Sequence, residues 1–117
     1  MNIPTQDVFT DDSPTRPAQL VQITIVDVYG NVDSPDTPLS KRNHDTVRWF
    51  NQTSDPAFIV FHTKKHSPLD DDLLTVLPGQ FSKTENIKNA VPGDDTPYKY
   101  TVLAVDGVND PTVIINR

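Results

Sequence analysis

The sequence predicts an all-β fold, a Greek-key β-sandwich, on three observations. Fifteen of the sixteen acidic residues are Asp, which favours turns, and only Glu85 is Glu, which favours helix interiors. Eleven prolines interrupt helices and central strands alike. Short apolar runs recur between these turn signals without the sustained period of a helix. A chain of 117 residues with 35% hydrophobic residues is sufficient for one such core.

The first predicted strand follows a polar N-terminal segment. Residues 1–19 contain three prolines and the acidic pair Asp11 and Asp12 but few large apolar side chains. We therefore expect a flexible N-terminal arm over residues 1–19 and one folded domain over residues 20–117. Leu20 to Ile25 alternates apolar and polar positions, which is typical of a strand with one buried face. Residues 33–38 then form a turn-rich connection.

Five further segments complete the predicted set of strands. They are residues 46–51, 58–62, 81–87, 98–105 and 112–115, separated by polar loops and turn signals. Residues 67–77 allow two interpretations, because the apolar positions at its end suit a strand while Pro68 and the acids that follow suit the first turn of a short helix. Pro78 and Gly79 predict a type II turn after this segment.

Several of these segments, taken in order, resemble the cupredoxin family of plastocyanin and azurin. Residues 45–51, DTVRWFN, are similar to the strand that enters the copper loop, and residues 56–61, PAFIVF, to the segment in which a proline precedes the first ligand histidine. The Pro-Gly turn at 78–79, YKYTV at 98–102 and VII at 113–115 resemble later parts of the family pattern. The resemblance covers about 95 residues, and it implies a cupredoxin-like sandwich.

The copper ligands of that family are absent. A blue-copper site needs two imidazoles and one thiolate, with a weak axial thioether. The resemblance places these ligands at Ala57, Val102, Val105 and Asn109, and the chain has no cysteine and a single methionine, Met1. We therefore expect no copper and no other cofactor. We also expect the two valines and the alanine to be buried together, where they would replace the metal by apolar packing.

Three histidines are the other candidate ligands. His62 and His66, four residues apart, could share a metal ion with Asp70 in a site unlike that of cupredoxins. The two lysines between the histidines would repel a cation, so a solvated, charge-balanced loop is the favoured interpretation. His44 stands where the family pattern usually has glycine, and we interpret it as a turn residue in the left-handed conformation.

Function is predicted by exclusion. No serine lies in a nucleophile-elbow pattern, so no catalytic residue is assigned and we do not expect an enzyme. The net charge of −6 argues against nucleic acid and against anionic membrane surfaces. The first residues lack the pattern of a signal peptide, which favours the cytoplasm over an exported mature form.

What remains is a non-enzymatic binding domain for an unknown protein or small-molecule partner. Loops on a rigid sandwich commonly carry recognition. We assign this role to residues 51–57, 91–96 and 105–110, which we expect together at the former metal end. Phe50 and Phe58 flank the first of these loops. We expect both in the core, and the alternative is an apolar patch beside the vacated site.

Overall fold

The computed structural model describes residues 13–61 and 67–117, and these residues form an all-β protein. The strands are β1 (Leu20–Ile25), β2 (Asp36–Ser40), β3 (Thr46–Asn51), β4 (Ala57–Phe61), β5 (Leu73–Val76), β6 (Glu85–Asn86), β7 (Thr96–Ala104), β8 (Gly107–Asn109) and β9 (Thr112–Asn116). Neither range contains a helix long and apolar enough to cross a membrane. The predicted all-β class is confirmed.

The strands form two mixed sheets. The smaller sheet has the order β1-β3-β6, with β1 parallel and β6 antiparallel to β3. The larger sheet has the order β2-β9-β7-β4-β5, and β8 pairs with β7. All its pairs are antiparallel except that of β2 with β9. The two sheets therefore make the two layers that bury one core.

Strand alternation places the core between the sheets. Every second residue of β1, β3, β4 and β7 points inward, so the apolar positions of both sheets meet. Trp49 lies at the centre, with its ring 5.3 Å from the Tyr100 ring and 6.4 Å from the Phe61 ring in edge-to-face geometry. The Trp49 Nε1 donates to the Tyr100 hydroxyl at 3.3 Å, which satisfies the buried indole.

The strongest alternations in the sequence are matched by the strands of the structure. The predicted strands at residues 20–25 and 46–51 are confirmed residue for residue. In the ambiguous segment 67–77 the strand interpretation is correct and the helix does not form, because Leu74 and Val76 are buried at period two while β5 pairs with β4.

Two predictions about the strands are wrong. Residues 33–38 are not only a connection, because β2 begins at Asp36 and pairs with β9. Pro38 is tolerated within β2 because β2 is an edge strand that needs no second row of hydrogen bonds. The predicted strand over residues 81–87 shrinks to the two residues of β6, with isolated bridges at Phe81 and Ile87.

The segment just before β1 is anchored to the turn between β2 and β3. The buried carboxylate of Asp45 accepts two hydrogen bonds from the Arg16 guanidinium, at 2.9 and 2.8 Å. It also accepts from the backbone N–H groups of Ser40 and Gln19. Burial opposes ionisation of Asp45, but these donors outweigh it and lower its pKa. The boundary at residue 20 stays a prediction, and residues 1–12 of the predicted arm lie outside the described ranges.

Strand β7 separates two ends of the sandwich. Thr96 at its start lies opposite Ile115, and Leu103 near its finish lies opposite Phe58. Nine residues at about 3.3 Å each place these points more than about 20 Å apart. The loop 91–96 therefore lies at the opposite end from residues 51–57 and 105–110, and the prediction that all three meet at the former metal end is wrong. We call the end with residues 105–110, which includes the β7–β8 hairpin, the hairpin end and the other the turn end.

Candidate functional site

Two of the four positions where the copper ligands are absent lie on the inner face of the larger sheet, at the hairpin end. Ile59 pairs with Val102 across β4 and β7, and Ala57 lies two residues before Ile59 on the same face. Ala57 and Val102 are both fully buried. Their predicted burial is confirmed, and small apolar side chains stand where the resemblance places the first imidazole and the thiolate.

The other two positions are placed differently. Val105 is 57% exposed, so the prediction that it packs with Ala57 and Val102 is wrong. The cause is the hairpin between β7 and β8: Ala104 pairs with Gly107, which leaves Val105 in a two-residue turn at the tip. Asn109, in β8, is half-buried and its Nδ2 donates to the Tyr29 carbonyl at 2.9 Å. The four positions therefore do not converge on one centre.

The main chain of the loop after β1, residues 26–32, covers the hairpin end of the sandwich. The Asp106 N–H donates to the Val28 carbonyl at 2.9 Å. A Cβ added to Gly107 would lie 2.6 Å from the Tyr29 carbonyl oxygen, and one added to Gly30 would lie 3.1 Å from the Val102 carbonyl oxygen. These two glycines allow the loop backbone to lie directly against the hairpin, where a side chain would collide.

Asp27 gives this loop its shape. Its Oδ1 accepts from the backbone N–H groups of Tyr29 and Asn31, and its Oδ2 accepts from the Asn31 side chain at 2.8 Å. The Asn31 side chain is the main cause of the lowered pKa of Asp27. The signal in the sequence is an Asp two residues before Tyr29 and three before a glycine, which is typical of a turn, but nothing in it shows which hairpin the turn would cover.

The outer face of the larger sheet carries exposed apolar side chains in one row. Phe58 pairs with Leu103, and Leu103 pairs with Val108, so the three lie side by side across β4, β7 and β8. Their exposed fractions are 39%, 40% and 61%. Leu73, at the start of the neighbouring strand β5, and Leu77, just after its end, are also exposed. We call the row of Phe58, Leu103 and Val108, with these two leucines, the apolar face.

The outcome for the two phenylalanines follows from this arrangement. The core prediction is wrong for Phe58, which lies on the apolar face, because every second residue of β4 points away from the core. Phe50 is half-buried on the other sheet, with its ring 4.9 Å from that of Phe81. The Arg48 guanidinium lies over the Phe81 ring, with its Cζ 3.7 Å from the ring centroid. Phe50 and Phe58 therefore do not form one patch.

The alternative metal site falls mostly outside the described ranges. His62 and His66 lie between them, and Asp70 is exposed with its Oδ2 accepting from the Asn86 side chain at 3.2 Å. Within residues 13–61 and 67–117 there is no group of three or more His, Cys, Asp or Glu that could hold a metal ion. The site at His62, His66 and Asp70 stays a prediction.

Glu85 is a buried acid for which the sequence gives little signal beyond its being the single Glu. Its Oε1 accepts the Asp71 N–H at 2.8 Å, and no hydrogen-bond partner for its Oε2 is present in the described part of the chain. Burial, followed by the neighbouring Asp71 side chain, raises the pKa of Glu85 to about 7. Lys83 binds the same Asp71 at 2.9 Å, on the surface.

Comparisons with known proteins show the fold. No family model and no curated protein matches the sequence. Solved structures of amicyanin do. An oxidized amicyanin variant has a TM-score of 0.54 at 16% identity over 81% of this chain and 80% of that chain. A Cu(I) form of another variant has a TM-score of 0.55 at 16% identity, over 88% of this chain and 91% of that chain. The chain therefore has a cupredoxin-like fold, without the cysteine that a blue-copper centre requires.

Proposed function

We propose that this chain is a copper-free, non-enzymatic binding domain that docks a protein partner on its apolar face. The observation that carries the proposal is the row of Phe58, Leu103 and Val108, three exposed apolar side chains in cross-strand register. Exposed apolar side chains that occur singly are ordinary on protein surfaces, whereas contiguous ones mark interaction sites.

Rigidity supports this assignment. The row is set by strand pairing, so its side chains are positioned without the ordering cost of a flexible loop. Strand β8, which supplies Val108, is held from behind by the contact of Gly107 and Asn109 with Tyr29. A large apolar side chain that becomes fully buried in a complex contributes about 1.5–3 kcal/mol. Phe58 and Leu103 are already more than half buried, so each contributes less than this, and the row supplies the apolar centre of a larger interface.

Electron transfer of the blue-copper kind is not proposed. The thiolate of that centre has no possible source in a chain without cysteine. A function of this fold would therefore use its surface and not a copper centre. A protein partner is favoured over a small molecule at this site because the apolar face is a sheet surface, whereas small ligands bind in concave cavities.

The absence of cysteine also gives a direct test, because one introduced thiol is a unique attachment point. We would place a photo-crosslinker on Val108→Cys and, as a matched control, on Gln22→Cys, an exposed position of the smaller sheet. In an extract of the source cells, Val108→Cys should give a discrete protein adduct that unlabelled wild-type chain suppresses. Unlabelled Leu103→Asp should not suppress it.

Either of two results would contradict the proposal. One is the same adduct from Gln22→Cys, and the other is equal competition by Leu103→Asp and the wild type. Leu103 is exposed, so its replacement by Asp should leave the fold intact. Unchanged fluorescence of the buried Trp49 checks this before the competition is interpreted.

A further inference from the structure

A cavity of about 360 Å³ at the turn end is lined by basic side chains. Its lining residues are Lys41, Arg42, His44, Pro92, Gly93 and Arg117. We call it the basic cavity. None of the described residues that line it is acidic. A smaller cavity of about 100 Å³ shares Lys41 and His44 and reaches Asp45.

The concentration of charge is unexpected for this composition. The chain has ten Lys and Arg against sixteen acids, yet three of the ten line this one cavity together with a histidine. The carboxylate of Asp45 is already matched by Arg16 at 2.8 Å. A concave site lined by several cationic side chains raises the local concentration of an anionic ligand.

Hydrogen bonds preorganise the walls of the cavity. The turn between β2 and β3 is fixed by Asn43, which is buried and donates from its N–H and Nδ2 to the Ser40 hydroxyl. His44 follows with a φ of 60°, the left-handed conformation expected for this turn, and its N–H donates to the Lys41 carbonyl at 3.1 Å. The Lys41 N–H in turn donates to the Asn116 carbonyl of β9 at 2.8 Å.

The opposite wall is tied to the same strand. The Asp95 N–H donates to the Ile115 carbonyl at 3.0 Å, which holds the loop of Pro92 and Gly93 against the end of β9. The Lys41 ammonium donates to the Asn89 carbonyl at 2.7 Å and so keeps its charge at the cavity. Three segments that are distant in sequence therefore meet around one space, and hydrogen bonds fix the main chain of its walls.

We propose that the basic cavity binds the phosphate group of a small phosphorylated ligand. Guanidinium groups match phosphate oxygens with paired hydrogen bonds, Lys adds a positive charge, and His adds a ring N–H donor. The volume is in the range of small-molecule sites and exceeds what one phosphate fills, so it leaves room for an attached group. The site lies at the end opposite the β7–β8 hairpin, and the proposal is independent of docking on the apolar face.

The test is an NMR titration of the full ¹⁵N-labelled chain with inorganic phosphate and with pyrophosphate. Sodium chloride at matched ionic strength is the control. Saturable shifts are expected at residues 41–44 and at Gly93, with tighter binding of pyrophosphate. The double variant His44→Asn and Arg117→Gln should bind pyrophosphate about tenfold more weakly, since one guanidinium contact and one imidazole contact to the phosphate are lost. Asn is chosen because it tolerates the left-handed conformation.

Lys99→Gln is the matched control, because Lys99 is exposed on the outer face of β7 and lines neither cavity. It should bind like the wild type. Shifts that follow ionic strength alone, or equal affinity in the double variant and the wild type, would overturn the proposal. Binding to vesicles that contain phosphatidic acid, without binding to pyrophosphate, would also overturn it, because the site would then recognise a lipid surface.

Discussion

Glu85 is the group whose ionisation should govern how the stability of the fold changes between about pH 5 and about pH 8. It is fully buried in β6, one of its carboxylate oxygens has no hydrogen-bond partner within the described ranges, and Asp71 is its acidic neighbour. In the folded chain it retains its proton to about pH 7, whereas an ordinary Glu loses it near pH 4.5. Above pH 7 the fold must hold an ionised carboxylate away from water.

The size and sign of the effect follow from these two values. The contribution of Glu85 to the free energy of unfolding is fully present below pH 4.5 and is lost as the pH rises to about 7. The difference between the two pKa values corresponds to about 3 kcal/mol. Asp45 acts in the opposite sense, but its lowered pKa confines its effect to more acidic solutions.

The assay is urea unfolding at several pH values, followed by the fluorescence of the single tryptophan, Trp49. Wild type should lose about 2.5 kcal/mol of unfolding free energy between about pH 5 and about pH 8. Glu85→Gln should lose little in this interval, since no buried group at that position can ionise. Asp36→Asn, which alters an exposed carboxyl group at the start of β2, should behave like the wild type. An equal loss in Glu85→Gln and the wild type would refute the reasoning.

Two further predictions concern stability. Val102→Asp should lower the free energy of unfolding by about 3–5 kcal/mol, because it buries an unpaired charge. Val105→Asp, at the exposed hairpin tip, should change it by less than about 0.5 kcal/mol. Equal losses in urea unfolding would show that the two positions are not placed as described. Asp45→Asn should make unfolding less dependent on pH below about 4, since the lowered pKa of Asp45 gives stability that is lost as the pH falls through it. A variant whose urea midpoint falls between neutral and acid pH by as much as that of the wild type would contradict this.

The sequence allowed the main strands to be predicted because their periodicity is local. Leu20–Ile25 and Thr46–Asn51 each alternate over six residues, and burial follows that alternation. Strand β2 carries no such signal, because its five residues include Pro38 and only one large apolar side chain. It is a strand because β9 provides the pairing, and that information lies far along the chain.

The sites were harder to predict because each depends on which segments become neighbours. The prediction for Val105 used the loop spacing of copper proteins, but the two-residue turn here is too short to turn the side chain inward. The row of Phe58 and Leu103 requires the pairing of β4 with β7, which no local pattern reveals. The basic cavity similarly unites the 41–44 turn with Gly93 and Arg117. The net charge of −6 gives no indication of a basic cavity.

The parallel pairing of β2 with β9 has a consequence for how this chain folds. Asp36 lies opposite Thr112, and β9 is the one strand that pairs with β2 within the described ranges, so this edge of the sheet cannot form until residues 112–116 have been made. Closing so long a loop costs entropy before any of its contacts are gained, and folds dominated by such pairings form in milliseconds to seconds. During synthesis β2 emerges from the ribosome long before its partner does. We therefore expect the larger sheet to assemble in one late step, after β9 is available, rather than strand by strand.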